Sequence, residues 1–252
     1  MRIPLIAGNW KMNMNHESGK DLVKKISDKV GGSDPEVVVC CPFPMLLEIG
    51  KCLSDSAIML GAQNMHWENS GAFTGEISAD MLLELGVKYV IIGHSERRQI
   101  FSETNHMINL KVKKALEKQI VPILCIGELL NEREGKQTER VLTDQLENSL
   151  ANINTQEATK IVIAYEPVWA IGTGKTATPE QAADTIGFIR GWLKEKYGES
   201  SSEKIRILYG GSVKPDNISE IMKSPDVDGA LVGGASLIDE DFINIVHFKH
   251  SN

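Results

Sequence analysis

The stretch Ile161-Val162-Ile163-Ala164-Tyr165-Glu166-Pro167-Val168-Trp169-Ala170-Ile171-Gly172-Thr173-Gly174-Lys175-Thr176, continued by Ala177-Thr178-Pro179-Glu180-Gln181, contains the repeating unit of this chain. Its first five residues are apolar or aromatic and predict a buried strand. Pro167 stops that strand, because proline has no N–H for a ladder. A glycine-bearing loop follows. Thr178 and Gln181 then form a capping box with Pro179 at the first helical position, so a helix opens there. Strand, loop and helix follow in order, with the carboxylate of Glu166 at the strand's end. A carboxylate on a rigid edge, beside a segment able to close over it, suits a general base working out of water. Gly174-Lys175-Thr176 resembles the end of a nucleotide P-loop, but that motif needs a glycine where Trp169 stands.

The same unit recurs along the chain. Short β-branched or aliphatic runs occupy 5–7, 37–41, 58–61, 89–92, 123–126, 161–165, 205–209 and 230–232. They are continuous rather than alternating, as in parallel strands covered on both faces. Between them, 19–30, 104–119 and 137–150 carry apolar residues three and four apart, which gives each one apolar stripe. Asp239 is expected to cap a last helix running to Val246. The fold class expected is α/β: a closed (β/α)8 barrel of eight parallel strands, one domain over 1–252. An open doubly wound sheet fits less well. Such sheets place a Gly-rich turn after the first strand, and here that strand runs into Asn9-Trp10-Lys11.

Bulk properties narrow the function. A length of 252 residues with 42 % apolar residues is enough for the core of one barrel. A net charge of -7 argues against nucleic acid or a membrane surface as the main partner. No run approaches the roughly 18 apolar residues that span a bilayer. The apolar run near Met1 is too short for a secretory signal, so a cytoplasmic location is expected. Cys40, Cys41, Cys52 and Cys125 show no metal-ligand spacing and are expected to be free thiols in a reducing compartment. Cys40 and Cys41 should point to opposite faces of their strand.

In a barrel of this kind, catalytic groups gather at the C-terminal ends of the strands. There the sequence places Asn9 and Lys11, Gln63 and Asn64, His94 and Glu96, Glu128, Glu166, Gly210-Gly211-Ser212, and Gly233-Gly234. The Glu96-Arg97-Arg98 run is expected to act as an ion-pair girdle, with Glu96 nearest the chemistry. If a short helix starts after His94, its amides would disfavour imidazolium and leave a neutral donor. The two glycine turns, with helices expected near Pro215 and after Gly234, would form an anion pocket, and Gly172 could add an amide. Gly71-Ala72-Phe73-Thr74-Gly75-Glu76 suggests a finger with an apolar tip that docks on a second subunit.

Together, Gly8-Asn9-Trp10-Lys11-Met12-Asn13, the 71–76 finger, His94-Ser95-Glu96-Arg97-Arg98, the 164–176 stretch, Tyr209-Gly210-Gly211-Ser212-Val213 and Leu231-Val232-Gly233-Gly234-Ala235-Ser236 resemble the triosephosphate isomerase family. The likeness runs from the first strand to the last. It implies interconversion of dihydroxyacetone phosphate and D-glyceraldehyde 3-phosphate through an enediolate, in glycolysis and gluconeogenesis, with no cofactor and no metal. By the same likeness, Glu166 is the base and His94 the neutral electrophile that also shuttles protons. Lys11 offsets the charge of enediolate and phosphate, Asn9 donates to the oxygens, and Glu96 supports the site. Amides at Gly172, Ser212, Gly233 and Gly234 would hold the phosphate. The 167–177 loop would be a shield, hinged at Pro167-Val168-Trp169 and Lys175-Thr176-Ala177. The resemblance further implies a homodimer, with the 71–76 finger reaching the second subunit near Asn13, Met14 and Asn15. A metal-dependent epimerase would want more rim histidines than His94. A Schiff-base aldolase would want a lysine inside a strand, whereas Lys11 follows one. A non-catalytic phosphometabolite-binding barrel would be expected to have lost Glu166 or His94.

Overall fold

The computed structural model describes residues 2–32, 35–170 and 177–248. The chain runs β1 (Leu5–Asn9), α1 (His16–Ser27), β2 (Glu36–Cys41), α2 (Leu46–Cys52), β3 (Ile58–Ala62), α3 (Ala79–Glu84), β4 (Tyr89–Ile92), α4 (Ser95–Ile100), α5 (Asn105–Glu117) and β5 (Val121–Ile126). It continues α6 (Leu130–Glu134), α7 (Thr138–Ser149), α8 (Thr155–Ala158), β6 (Val162–Tyr165), α9 (Pro179–Tyr197), α10 (Glu199–Ser202), β7 (Arg206–Tyr209), α11 (Ile218–Ile221), β8 (Gly229–Val232) and α12 (Asp239–Val246). Short 3-10 turns occupy Phe43–Met45, Val168–Ala170 and Gly234–Leu237. All the strand ladders are parallel, and β8 pairs back onto β1 through Leu5↔Gly229 to Gly8↔Val232, closing the barrel.

The eight expected strands are all present. Several boundaries differ by a few residues, and the starts of the first and last helices do so for identifiable reasons. The first helix starts at His16 rather than near Gly19, because Asn15 accepts from the Ser18 amide and the Ser18 hydroxyl accepts from the Asn15 amide. Asp239 is the first residue of the last helix, not its cap. Ile238 takes the capping position without a side-chain bond, and Asp239 instead lies 3.2 Å from Lys25 Nζ. The box at Thr178 and Gln181 forms as expected.

Alternation along the strands splits the core into two layers. Leu5, Ala7, Val38, Cys40, Ile91, Ile123, Cys125, Val162, Ala164, Leu208 and Leu231 fill the barrel interior. Ile6, Val37, Val39, Cys41, Val90, Ile92, Ile163 and Ile207 face outward onto the apolar stripes of the helices. Cys40 and Cys41 therefore do lie on opposite faces. At the N-terminal end the interior turns polar. Arg206 Nη1 donates to Glu36, Arg206 Nη2 donates to the Tyr89 hydroxyl at 2.9 Å, and that hydroxyl donates to Glu36 at 3.0 Å. Burial pushes the Tyr89 pKa up, so the phenol keeps the proton that completes this plug.

Leu208 sits fully buried in the middle of the interior. Leu208→Ala should cost roughly 2–5 kcal/mol of unfolding free energy, read from the denaturant midpoint at constant slope. A loss below about 1 kcal/mol would mean that the interior is not close-packed there.

Candidate active site

Counting by two up the inward-facing positions leads to the site. Leu5 and Ala7 lead to Asn9, Val162 and Ala164 to Glu166, and Leu208 to Gly210. Ile123 and Cys125 lead to Gly127, and Leu231 leads to Gly233. Where lower layers carry branched side chains, three of these uppermost positions are glycine, and a cleft of about 650 Å3 opens beside two of them, Gly210 and Gly233. A Cβ at Gly210 would stand 2.9 Å from the Glu166 Cγ, and one at Gly127 would strike the Glu166 carbonyl. The cleft brings together Asn9, Lys11, His94, Glu166, Ser212 and Gly233–Gly234. Asn9 is the last residue of its strand rather than beyond it.

Glu166 is almost fully buried, and both carboxylate oxygens are engaged. One accepts from the Ser95 amide at 3.0 Å, and the other lies 2.9 Å from His94 Nε2. Its own amide donates to the Ile126 carbonyl at 2.7 Å. Burial alone would raise its pKa. The charge and hydrogen bond of His94, the Ser95 amide and Lys11 outweigh burial, and the net direction is downward.

His94 caps α4, and its Nδ1 accepts from the Glu96 amide at 3.2 Å. The short helix expected after His94 is therefore present. Burial and this amide favour the neutral ring. The Glu166 carboxylate and, less strongly, the Glu96 carboxylate 3.5 Å from Nδ1 pull the other way, and the net direction of the His94 pKa is upward. The helix amides alone do not set its charge, because Glu166 is in contact with the ring.

Lys11 has a left-handed backbone, φ 52°, strained for a residue with a Cβ. Two side chains hold it. Asn9 Oδ1 accepts from the Lys11 amide at 3.1 Å, and Gln63 Nε2 donates to the Lys11 carbonyl at 2.9 Å and to the Cys40 carbonyl at 3.0 Å. The Lys11 ammonium meets Glu96 Oε1 at 2.6 Å. Glu96 thus touches the lysine rather than lining the cleft. Arg97 pairs with Glu103 at 3.4 Å, as a girdle would. Arg98 does not share that behaviour.

At the other end of the cleft, Asn217 Nδ2 donates to the Ser212 carbonyl at 2.9 Å, and Asn217 Oδ1 accepts from the Lys214 amide at 2.8 Å. This asparagine holds the turn after β7. Helix α11 begins at Ile218, three residues later than expected from Pro215, because that asparagine first closes a turn. A 3-10 turn does begin at Gly234, and the Ser236 hydroxyl and amide both donate to the Gly233 carbonyl. Gly172, Lys175 and Thr176 lie outside the described residues.

Three contributors carried little signal in the sequence. Ser95 acts through its backbone amide, which any residue would supply. Glu128 was visible only as a polar residue after a strand. It is fully buried and accepts from the Tyr165 hydroxyl at 3.1 Å and from the Trp169 indole at 3.0 Å, tying the turn that follows β6 to the barrel. Cys125 lies beneath Glu166, and burial together with that charge pushes its pKa well up, so it stays a thiol. Among the described residues, no group of three or more His, Cys, Asp or Glu side chains is arranged to hold a metal ion, and no helix is long and apolar enough to cross a membrane.

Comparison with known proteins places this geometry. Residues 4–249 match the family model described as triosephosphate isomerase. A triosephosphate isomerase of Alkaliphilus metalliredigens is 56 % identical over 98 % of this chain and all of its own length. One of Alkaliphilus oremlandii is 54 % identical over the same shares. The crystal structure of triosephosphate isomerase from Bartonella henselae superposes with a TM-score of 0.88 at 42 % identity, covering 96 % of this chain and 97 % of that one.

The lowered pKa of Glu166 fixes the sign of its contribution to stability. Between the folded and unfolded pKa values the unfolded state binds more protons, so stability rises with pH there. The contribution of Glu166 is present above its ordinary value of 4.5 and is lost as pH falls through the lower folded value. The stability difference between the native protein and Glu166→Gln should therefore shrink as the pH is lowered from about 5 through the acid range. Denaturant titrations at fixed pH measure it, and a difference that grows on acidification would contradict the assignment.

Proposed function

We propose a division of labour at this cleft on one premise: the chain belongs to the triosephosphate isomerase family and interconverts dihydroxyacetone phosphate and D-glyceraldehyde 3-phosphate, a step of glycolysis. The roles of individual residues are our reading. The observation that carries it is the single cleft in which the buried Glu166–His94 pair faces Lys11 and Asn9 on one side and the Ser212, Gly233 and Gly234 turns on the other.

The phosphate sits on the amides of Ser212, Gly233 and Gly234, with Lys11 offsetting its charge. This places the two reacting carbons beside Glu166. The Glu166 carboxylate removes a proton from the hydroxymethyl carbon. His94 Nε2, Lys11 and Asn9 donate to the oxygens on which negative charge develops. Asn9 Oδ1 is committed to the Lys11 amide, which orients its NH2 group as the donor. The same carboxyl group then returns the proton to the neighbouring carbon, and His94 moves a proton between the two oxygens. Nothing is gained or lost overall.

The contact between His94 and Glu166 explains how the charges change in step. Substrate takes His94 Nε2 away from Glu166, which removes a partner that favours the ionised carboxylate and makes it a stronger base. Once Glu166 holds the substrate proton, the larger of the two charges that raise the His94 pKa is gone, and the other, on Glu96, is offset by Lys11. Burial and the α4 amides then favour a neutral ring, which can donate from Nε2 to the enediolate. Glu96 keeps Lys11 in place. The 167–177 loop shields the enediolate, whose phosphate is readily expelled in water. Residues 1–252 form one catalytic domain.

We further propose a cytoplasmic homodimer. The four cysteines are free thiols, as suits a reducing compartment. Met12 and Phe101, 95 % and 62 % exposed, line one slot, and Phe73 at the finger is 42 % exposed, apolar surface that a second subunit would cover. Phe73 stacks on His66 at 4.4 Å between ring centroids, so the finger is held in shape before it docks. A slot of about 230 Å3 beside Lys11, Met12, Glu96, Arg97 and Phe101 is the receiving surface. No nucleic acid or membrane partner is required.

Two measurements test this. With metal removed and chelator present, isomerisation of glyceraldehyde 3-phosphate should be fast, and Glu166→Gln should lower kcat by roughly 10²–10⁴-fold. Turnover that survives in the variant would displace Glu166 as the base. Thr74→Arg should place a charge in the docking slot, and subunit association and activity should fall together across a dilution series. Full activity in a demonstrated monomer would refute the dimer's contribution.

A further inference from the structure

Arg98 stands apart from its neighbours in the run that begins at Glu96. Its Nε donates to the Gly93 carbonyl at 2.7 Å, Nη1 to Asn105 Oδ1 at 2.6 Å and Nη2 to the Cys125 carbonyl at 3.0 Å. Among the described residues it forms no ion pair. A guanidinium committed to carbonyls below the surface, without a carboxylate, is an expensive way to hold a helix. Its acceptors show what it holds.

The β4–β5 ladder ends at Ile92↔Leu124. The next residues are Gly93 and Cys125, the two whose carbonyls Arg98 joins. The guanidinium takes over where the ladder stops. On one side Gly93 leads directly into His94. On the other, Cys125 leads into Ile126, whose carbonyl accepts the Glu166 amide at 2.7 Å. Gly93 makes room for the bridge, since a Cβ there would lie 3.1 Å from Arg98 Nη2.

We propose that Arg98 is a positioning residue for the isomerisation: by tying the Gly93 carbonyl to the Cys125 carbonyl, it sets the His94 ring against the Glu166 carboxylate. The proposal rests on the isomerase reading of the cleft. A single ammonium cannot reproduce the span, because a planar fork reaches several acceptors at once and lysine offers one nitrogen. The phosphate turns follow β7 and β8, away from this bridge, so substrate affinity should not depend on it.

The test compares kcat and KM for glyceraldehyde 3-phosphate in Arg98→Lys, with the folded fraction measured by circular dichroism. Misplacing the pair should lower kcat per folded molecule by roughly 10- to 100-fold while KM stays within about threefold. A lower melting temperature with unchanged kcat per folded molecule would show Arg98 to be structural only and would overturn the proposal. If Arg98→Lys does not fold, Asn105→Ala keeps the guanidinium and removes the Nη1 acceptor. It should lower kcat by roughly threefold or more at constant KM, and an unchanged kcat would likewise overturn the proposal. Failure of the isomerase reading itself would show separately, as no turnover in the unaltered protein.

Discussion

The contact between Glu166, His94 and the Ser95 amide governs the site. It crosses from the end of β6, over β5, to the first residues of α4, so it exists only if three strand ends are held in fixed relation. Gly127 allows it, because a Cβ on the intervening strand end would collide with the Glu166 backbone. A nearly fully buried carboxylate would normally resist ionisation. Here the donors around it reverse that tendency and lower the Glu166 pKa.

The surrounding architecture follows from the barrel's alternation. One set of inward positions is polar at the bottom, apolar through the middle, and glycine or functional at the top. The Arg206–Tyr89–Glu36 plug and the branched middle layer close the interior and supply a rigid floor. The glycine layer then leaves a cleft rather than more core. Rigidity and reactivity are separated along one axis, which is why the cleft can hold strained features such as the left-handed backbone of Lys11.

Much of this could be read in the residues. Eight runs with helical stripes between them were enough for the barrel, because strand and helix periodicities are local properties. The rim positions of Asn9, Glu166, Gly210 and Gly233 followed from strand ends. What stayed hidden depends on groups without a residue-specific signal or on contacts between distant segments. The Ser95 amide belongs to the first kind. The Glu128–Trp169 tie and the turn of Arg98 away from its charged neighbours toward the Cys125 carbonyl belong to the second. The Asn15 capping box shifted a helix start because a cap outweighs the apolar pattern that follows it.

In the proposed mechanism His94 works as a neutral donor, held in that state by the Glu96 amide at Nδ1 once the charge of Glu166 has been neutralised. The most direct measurement is nitrogen NMR of a ring-labelled His94 with a phosphorylated enediolate analogue bound. The account predicts an unprotonated Nδ1 and a protonated Nε2 through neutral pH. Protonation of both nitrogens in that complex would contradict it.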